Sequence, residues 1–333
     1  MKDGFGRGID YLRISLTDRC NLRCIYCMPE EGVTSIPHES ILRLEEFERA
    51  VACAAELGIK HIRYTGGEPT VRKGLVGLVE RTAQTPGIES VALTTNATLL
   101  PNMAASLKAA GLSRVNISLD TLDANQYHFI TRRGNLQDAL SGIEAALSAG
   151  LAPVKLNAVV VRSLNQDLLA FAKLSLNKPL HVRFIEYMPV GHDEDCGGCG
   201  WGINDVVPAA EILETIDAQA KAEGIGGLQP ITNGGPTGWG PARYYTLPEA
   251  QGTIGVISAV SNHFCGSCNR LRLTADGKIK PCLFSDQEYD LRTALREGTD
   301  KDVKAVFAEA LGHKPSGHEH RIGTKRMMSQ GGG

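Results

Sequence analysis

Short runs of alternating apolar and polar residues along the first half of the chain are separated by longer runs of helical period. Leu12, Ile14 and Leu16 alternate with polar side chains, which is the period of a β-strand. Residues 44–57 instead carry apolar side chains at helical spacing, and Gly58 follows as a stop signal. The first unit therefore predicts a strand followed by a helix.

The same unit recurs several times. The sequence predicts further strands near 61–65, 90–95, 114–119, 154–161 and 181–187, and helices near 75–84, 101–110, 136–149 and 167–174. Such repetition indicates a parallel sheet with helices outside, either an open doubly wound sheet or an incomplete barrel. Both architectures bind ligands at the carboxyl ends of their strands, so residues at strand ends are the candidates for function.

The pattern changes after the sixth strand. A loop over 189–204 leads to a helix near 206–222, and the Gly- and Pro-rich stretch 224–241 reads as turns or a linker. Two domains are therefore expected, a partial barrel over 1–223 and a smaller C-terminal region over 224–333.

Composition limits the possible partners. The chain has 333 residues with 35 Lys and Arg against 37 Asp and Glu, so no global field favours nucleic acid or an anionic membrane surface. The first residues lack an apolar signal core, and no run approaches the roughly 18 apolar residues of a membrane helix. We expect a cytoplasmic protein with no nucleic-acid or membrane partner. Its nine cysteines then favour metal ligands over disulfides.

Three of these cysteines follow the first strand directly. Cys20, Cys24 and Cys27 form a C-x3-C-x2-C array, with Tyr26 just before its last member. A structural zinc or an ordinary iron–sulfur cluster usually takes four protein ligands, so a local triple suggests a four-iron cluster with one iron open to an outside ligand. A zinc knuckle or unrelated core cysteines are the alternatives.

Polar residues or glycines mark several strand ends. Gly66 and Gly67 after the second strand let the backbone approach a ligand, although alone they would be an ordinary turn. Thr94 and Ser118 offer hydroxyls for ribose or phosphate, although each alone is more often a satisfied loop residue. Lys155, within an apolar strand, indicates a polar interior, and an edge-strand lysine is the alternative.

A second triple, Cys265, Cys268 and Cys282, flanks a predicted hairpin closed by Asp276-Gly277. A zinc ribbon would normally show a second CxxC pair, and none follows Cys282, so a second open cluster competes well with zinc.

Arg270 and Arg272 occupy alternate positions of the first hairpin strand and therefore project to the same side. Guanidinium groups bind phosphate in bidentate fashion, so this pair predicts an anion site. The alternative is a solvated basic strand. A further pair, Cys196 and Cys199, offers only two metal ligands, which argues against a metal site of its own.

Four motifs resemble one family closely. They are the D-R-C-N-L-R-C-I-Y-C-M loop, the T-G-G-E-P strand end, the second triple with N-R-L-R-L, and the glycine tail. The chain is similar, from Phe5 to these glycines, to the radical S-adenosylmethionine enzymes that cyclise GTP at the start of molybdenum cofactor biosynthesis. The resemblance implies an α/β fold, an incomplete (βα)6 TIM-like barrel with a smaller C-terminal iron–sulfur domain. It also implies two 4Fe-4S clusters, S-adenosylmethionine, and a lyase that makes (8S)-3′,8-cyclo-7,8-dihydroguanosine 5′-triphosphate.

The resemblance assigns roles residue by residue. The first triple would hold the S-adenosylmethionine cluster, and the second triple would hold a cluster that binds guanine. The residues expected to contact S-adenosylmethionine are Tyr26, Gly67, Ser118 and Met188, and those expected to contact GTP are Arg13, Arg63, Thr94, Lys155, Arg270 and Arg272. Gly332 and Gly333 would reach into the active site as catalytic residues, whereas composition alone would make them a disordered end.

The family also implies partners, namely an electron donor protein, a second copy in a homodimer, and the cyclic pyranopterin monophosphate synthase that receives the product. Cys196 and Cys199 are not part of the family pattern. Two other interpretations stay open. One is a radical enzyme that modifies a peptide, although such enzymes usually carry more C-terminal cysteines. The other is a non-enzymatic zinc-binding module.

Overall fold

One mixed sheet organises the protein, seen in a computed structural model. The structure describes residues 1–33, 36–190, 200–232, 235–236, 238–318 and 324–331. Six parallel strands form the centre of the sheet in chain order: β1 Tyr11–Ser15, β2 His61–Thr65, β3 Ser90–Thr95, β4 Leu112–Ser118, β5 Val154–Val160 and β6 Leu180–Glu186. All six strand predictions are confirmed to within a few residues.

Helices cover the outer face of this sheet. They are α1 Leu44–Glu56, α2 Leu75–Gln84, α3 Ala104–Ala109, α4 Ala124–Thr131, α5 Leu136–Ser148, α6 Leu168–Asn177 and α7 Ala209–Ala222. Side-chain caps from Asp123, Asn135 and Asp167 fix the starts of α4, α5 and α6 by accepting backbone N–H groups. The helix α4 was not predicted, and its end proves important for the first cysteine loop.

The chain beyond residue 224 extends the same sheet at both edges. Its elements are β7 Gln229–Pro230, β8 Arg243–Thr246, β9 Thr253–Ile257, β10 Arg270–Leu273, β11 Lys278–Lys280, β12 Tyr289–Asp290, α8 Leu291–Glu297 and α9 Asp300–Gly312. Strand β9 pairs in parallel with β6, and β10 pairs in parallel with β1. The predicted hairpin is confirmed as β10 and β11. The division at residue 223 stays a prediction, with strands from both sides of it in one sheet.

The two faces of the parallel strands differ in polarity. Side chains such as Leu12, Ile14 and Tyr64 are fully buried in the apolar core, which includes Phe47 of α1 and Phe171 of α6. The residues that alternate with them on the strands include Arg13, Arg63 and Asn116, which line a cavity on the inner side of the curved sheet. This alternation places charged and amide side chains in the cavity wall and apolar side chains in the core behind it. No helix in the described ranges is long and apolar enough to cross a membrane.

Candidate active site

A cavity of about 300 Å³ lies inside the curve of the sheet and contains both predicted cysteine triples in its walls. The other predicted site residues that line it are Tyr26, Gly67, Ser118, Met188, Arg13, Arg63, Thr94, Arg270 and Arg272. Lys155 is not among the lining residues, although it is buried. Residues far apart in the chain therefore meet at one place, as the strand-end argument predicts.

The loop of the first triple is held by α4 and by its own turn. The N–H of Ile25 donates to the carbonyl oxygen of Ile130 at 2.9 Å, and the N–H of Arg23 donates to Thr131 at 3.0 Å. The N–H of Cys27 closes a turn on the carbonyl oxygen of Cys24, also at 2.9 Å. The three thiols thus lie on a loop whose backbone is held by hydrogen bonds within the protein.

Tyr26 connects this loop to the end of β4. Its hydroxyl donates to Oδ2 of Asp120 at 2.6 Å, and the N–H of Val159 donates to Oδ1 at 2.8 Å. Burial raises the pKa of Asp120 to about 6, although both hydrogen bonds favour the charged form. The ring of Trp201 stacks on Tyr26 with 6.2 Å between centroids. This link between the loop and the sheet holds Tyr26 in the cavity wall.

The T-G-G-E-P stretch packs directly against the first cysteine loop. A Cβ atom on Gly67 would lie 2.2 Å from the carbonyl oxygen of Arg19, so only glycine fits there. Glu68 turns inward and accepts from the N–H of Asn96 and the hydroxyl of Thr95, both at 2.7 Å. Close packing of two chain segments therefore already requires this glycine, in addition to any ligand that approaches it.

Burial and neighbouring negative groups disfavour the ionised form of all three thiols in the first triple, and the charge of Arg23 near Cys20 does not offset them. Burial, together with the nearby carboxylate of Glu68, raises the pKa of Cys20 to about 11. Burial and the Asp120 carboxylate also raise the pKa of Cys24 and of Cys27. A metal would have to supply the positive charge that these thiolates need.

The second triple is held by cations from distant parts of the chain. Nη1 of Arg7 donates to the carbonyl oxygen of Cys265 at 2.7 Å. Burial would raise the pKa of Cys268, but the ammonium of Lys314 and the guanidinium of Arg270 outweigh it, so the pKa lies below its usual value. Neither Arg7 nor Lys314 was predicted, because nothing in the local sequence marks them.

The donor sets fit open four-iron clusters. Within the described ranges no group of three His, Cys, Asp or Glu side chains is suited to hold a single metal ion. A four-iron cluster makes a different demand, because each thiolate binds a separate iron. Each triple supplies three thiols on the cavity wall, which leaves the fourth ligand to come from the cavity.

Cations form a row across neighbouring strands. Arg272 on β10, Arg13 on β1 and Arg63 on β2 are aligned in register, and Arg183 on β6 faces the same cavity. Burial and repulsion from neighbouring cations lower the pKa of Arg272 and of Arg183 to about 10. Because guanidinium groups stay protonated under physiological conditions, an anionic ligand is what relieves this repulsion.

Several buried polar atoms of the cavity wall make no hydrogen bond within the described part of the protein. Among the described residues, the Nε atoms of Arg63, Arg183 and Arg270 make no hydrogen bond, and neither do Thr94 Oγ1 and Asn116 Oδ1. Native proteins seldom leave such atoms unsatisfied, which indicates a polar ligand with acceptors for the guanidinium groups. The sequence indicated that Arg183 could face the cavity, because this arginine lies within an apolar strand, as Lys155 does.

Lys155 lies deeper in the interior, near the segment that precedes β8. Its Nζ is 5.9 Å from the centre of the Tyr244 ring, and a Cβ on Gly238 would lie 2.6 Å from it. Burial, together with Arg183 and Arg114, lowers the pKa of Lys155 to about 6. The predicted contact of this lysine with a ligand stays a prediction.

The C-terminal segment is anchored beside the cavity. Nη2 of Arg326 donates to Oδ2 of Asp276 at 2.8 Å and to Oε2 of Glu288 at 2.8 Å. Ser329 lines the cavity, and its hydroxyl is 3.4 Å from the carbonyl oxygen of Cys27. A Cβ on Gly331 would meet Leu283 at 3.6 Å, an ordinary contact, so space does not require glycine there. The predicted residues Gly332, Gly333, Cys196 and Cys199 lie outside the described residues.

Known proteins similar to this chain agree with the resemblance. A model of the radical SAM superfamily matches residues 14–174, and a model described as molybdenum cofactor synthesis C matches residues 180–320. The GTP 3′,8-cyclase of Pelotomaculum thermopropionicum is 53% identical and that of Heliobacterium modesticaldum 52% identical, each over 100% of both chains.

A solved structure shares the fold. The crystal structure of Streptococcus suis SuiB bound to S-adenosylmethionine matches with a TM-score of 0.60 at 15% identity, over 88% of this chain and 65% of that chain. At this identity the likeness concerns the fold alone. It confirms, with the radical SAM model, the predicted partial barrel with its C-terminal region. From its full-length relatives, the chain belongs to the GTP 3′,8-cyclase family of the radical S-adenosylmethionine superfamily.

Proposed function

We propose that the protein converts GTP into 3′,8-cyclo-7,8-dihydro-GTP in the first step of molybdenum cofactor biosynthesis. The observation that carries this proposal is a single cavity lined by two cysteine triples and a row of arginines. One reaction needs all three groups, because it brings a radical source and a charged nucleotide face to face. The full-length relatives named GTP 3′,8-cyclase support the same reaction.

The first triple would hold a 4Fe-4S cluster, and S-adenosylmethionine would bind beside it. When bound, this pair would supply a 5′-deoxyadenosyl radical that takes the 3′ hydrogen atom of GTP. The C3′ radical would then bond to C8, and one electron from the proposed electron donor and one proton would complete the 7,8-dihydro product. Tyr26, Gly67, Ser118 and Met188 line the cavity next to the loop and would hold S-adenosylmethionine. The bond from Tyr26 to Asp120 fixes one wall of that subsite.

The second triple would hold a further cluster that orients guanine, and the arginines would bind the triphosphate. Arg13, Arg63 and Arg272 are aligned across three strands. The Nε–H groups of Arg63 and Arg270, which make no hydrogen bond to the described residues, could donate to phosphate oxygens. Thr94 and Lys155 complete the proposed GTP residues. Holding both ends of the nucleotide fixes C3′ relative to the radical source, and positioning is what the reaction most needs from the protein.

Gly332 and Gly333 are proposed to complete the site as catalytic residues. The support comes from the residues before them, because Met328 and Ser329 line the cavity and Arg326 is anchored to two carboxylates. The remaining proposals come from the family resemblance. They are an electron donor protein, a homodimer, a domain division near residue 223, and transfer of the product to the cyclic pyranopterin monophosphate synthase.

The decisive experiment uses GTP labelled with deuterium at C3′. Anaerobically purified and reduced protein is incubated with S-adenosylmethionine and this GTP, and both products are analysed by mass. We expect 5′-deoxyadenosine that carries deuterium and a cyclised nucleotide with the mass of unlabelled GTP, since one deuterium atom leaves and one electron and one proton enter. Cys24→Ala is the control that should form neither product. Unlabelled 5′-deoxyadenosine together with unchanged GTP would overturn the proposal.

The same preparation tests the two other interpretations. A zinc-binding module would be colourless, whereas a protein with two iron–sulfur clusters would be brown and contain sulfide. A peptide-modifying enzyme would leave GTP unchanged, and no contact in the described cavity favours a peptide over a polyanion.

A further inference from the structure

We infer that Lys314 is a positioning residue for the second cysteine triple, holding the hairpin that carries Cys268 and Cys282 and supplying a cation to their sulfurs. The inference rests on the proposed second cluster and concerns a residue distant in sequence from Cys265 and Cys268. It comes from the loop after α9, outside both motifs that contain the cysteines.

The contacts of Lys314 join both strands of the hairpin. Its Nζ donates to the carbonyl oxygen of Arg270 at 2.8 Å and to that of Pro281 at 2.7 Å. Arg270 begins β10, and Pro281 immediately precedes Cys282. Both acceptors belong to the framework that carries Cys268 and Cys282. The ammonium is also close enough to the sulfur of Cys268 for its charge to lower the pKa of that thiol.

Among the described residues, the negative groups that act on this ammonium are sulfurs and not carboxylates. Lys314 is only 4% exposed. The groups of opposite charge that act on it are the sulfurs of Cys268 and Cys282. A buried cation is costly unless an anion accompanies it. Lys314 is thus compensated when these cysteines are thiolates, the form in which they bind iron.

The first triple is surrounded differently. Arg23 directs its Nη1 to the carbonyl oxygen of Cys20 at 2.6 Å, and its charge does not offset the burial and the Glu68 carboxylate that raise the pKa of Cys20. At Cys268, by contrast, the charges of Lys314 and Arg270 outweigh the effect of burial. A cation close to a ligand sulfur raises the reduction potential of a cluster, because it stabilises the more negative reduced state.

The test compares Lys314→Met with Lys304→Met. Lys304 lies in α9 on the surface, paired with Glu56, so its replacement controls for the loss of one positive charge. Lys314→Arg is a second variant that keeps the charge. Each protein is purified anaerobically, and its iron and sulfide content, its thermal stability without metal and the electron paramagnetic resonance of its reduced clusters are measured.

We expect Lys314→Met to lose up to half of its iron while Lys304→Met and Lys314→Arg keep theirs. In the fraction of Lys314→Met that retains a second cluster, the midpoint potential should be more negative, and the spectral change on adding GTP should weaken. The spectral response to S-adenosylmethionine should stay as in the wild type, which shows that the fold is intact.

Three results would overturn the inference in distinguishable ways. A Lys314→Met protein with full iron content and an unshifted potential would show that Lys314 has no role at the site. A wild-type protein with the iron of one cluster only would instead remove the proposed second cluster, and the inference with it. Equal loss of both clusters with lower metal-free stability would assign Lys314 to folding.

Discussion

The two cysteine triples differ in the charges around them more than in the ligands they offer. Around the first, burial and the carboxylates of Glu68 and Asp120 raise the pKa of the thiols. Around the second, Lys314 and Arg270 lower the pKa of Cys268 in spite of its burial, whereas burial and the neighbouring thiols raise the pKa of Cys265. Two similar triples thus stand at a carboxylate-rich end and a cation-rich end of one cavity.

This difference suits two different tasks. Nearby carboxylates disfavour an added electron and make a cluster a stronger reductant, whereas cations do the reverse. Under the proposed function, the first site has to give an electron to S-adenosylmethionine, and the second has to hold an anionic nucleotide. The surroundings of each triple therefore match its task.

The largest effect should come from removing one ligand at each end. Cys24→Ala should abolish the formation of 5′-deoxyadenosine, because the radical source is lost. Cys268→Ala should retain slow, GTP-independent cleavage of S-adenosylmethionine but form no cyclised nucleotide. Product analysis by mass measures both outcomes. Cys53→Ala, at a buried position in α1, is the control for losing a cysteine. If both ligand variants lost all iron equally, the two ends would not be independent.

A change at the cation-rich end should weaken the binding of GTP and leave the affinity for S-adenosylmethionine unchanged. Replacing Arg270 or Arg272 by Gln should weaken GTP binding by about tenfold to a hundredfold, since a hydrogen bond to a charged group contributes about 1.5–3 kcal/mol. Titration calorimetry measures both affinities. Arg243→Gln, at an exposed position of β8, is the matched control. Unchanged GTP affinity in both variants would remove the triphosphate assignment.

A change at the carboxylate-rich end should weaken the binding of S-adenosylmethionine and leave GTP binding unchanged. Tyr26→Phe removes the hydroxyl that donates to Asp120, so the loop is held less firmly and S-adenosylmethionine should bind about tenfold more weakly. GTP affinity should stay the same. Tyr289→Phe, far from the loop on β12, serves as the control. Equal weakening of both ligands would mean that Tyr26 supports the whole cavity.

The smallest expected effect is the uptake of a proton by Lys155 when GTP binds. Its pKa of about 6 leaves it largely neutral at pH 8, and the nearby triphosphate would favour the charged form. GTP binding at pH 8 should therefore take up a proton, and the affinity for GTP should fall as the pH rises above about 6 towards the higher pKa that Lys155 would have in the complex. Calorimetry in two buffers of different ionisation enthalpy measures this uptake. Lys155→Arg, which stays charged, should take up none; identical uptake in both proteins would assign the proton elsewhere.

Local patterns predicted the parallel strands and both triples because those features depend on short-range periodicity and spacing. They did not predict that β10 would lie beside β1, since no pattern within either strand encodes a partner so distant in sequence. The same limit applies to Lys314 and Arg7, which reach the second triple from separate segments. The sequence drew attention to Arg326 but not to its partners, Asp276 and Glu288, because only the folded chain brings them together.

The pairing of β1 with β10 has a consequence for the order in which the protein becomes functional during synthesis. Asn269, just before β10, bonds to Asp10, 259 positions earlier in the chain. Every residue proposed to hold S-adenosylmethionine precedes residue 190, so that half of the cavity leaves the ribosome early. The row from Arg272 to Arg13 forms only after β10 has been made and has found β1, a slow long-range step. The proposed GTP site is therefore complete only in the full-length chain. A nascent chain that lacks β10 has no complete triphosphate site.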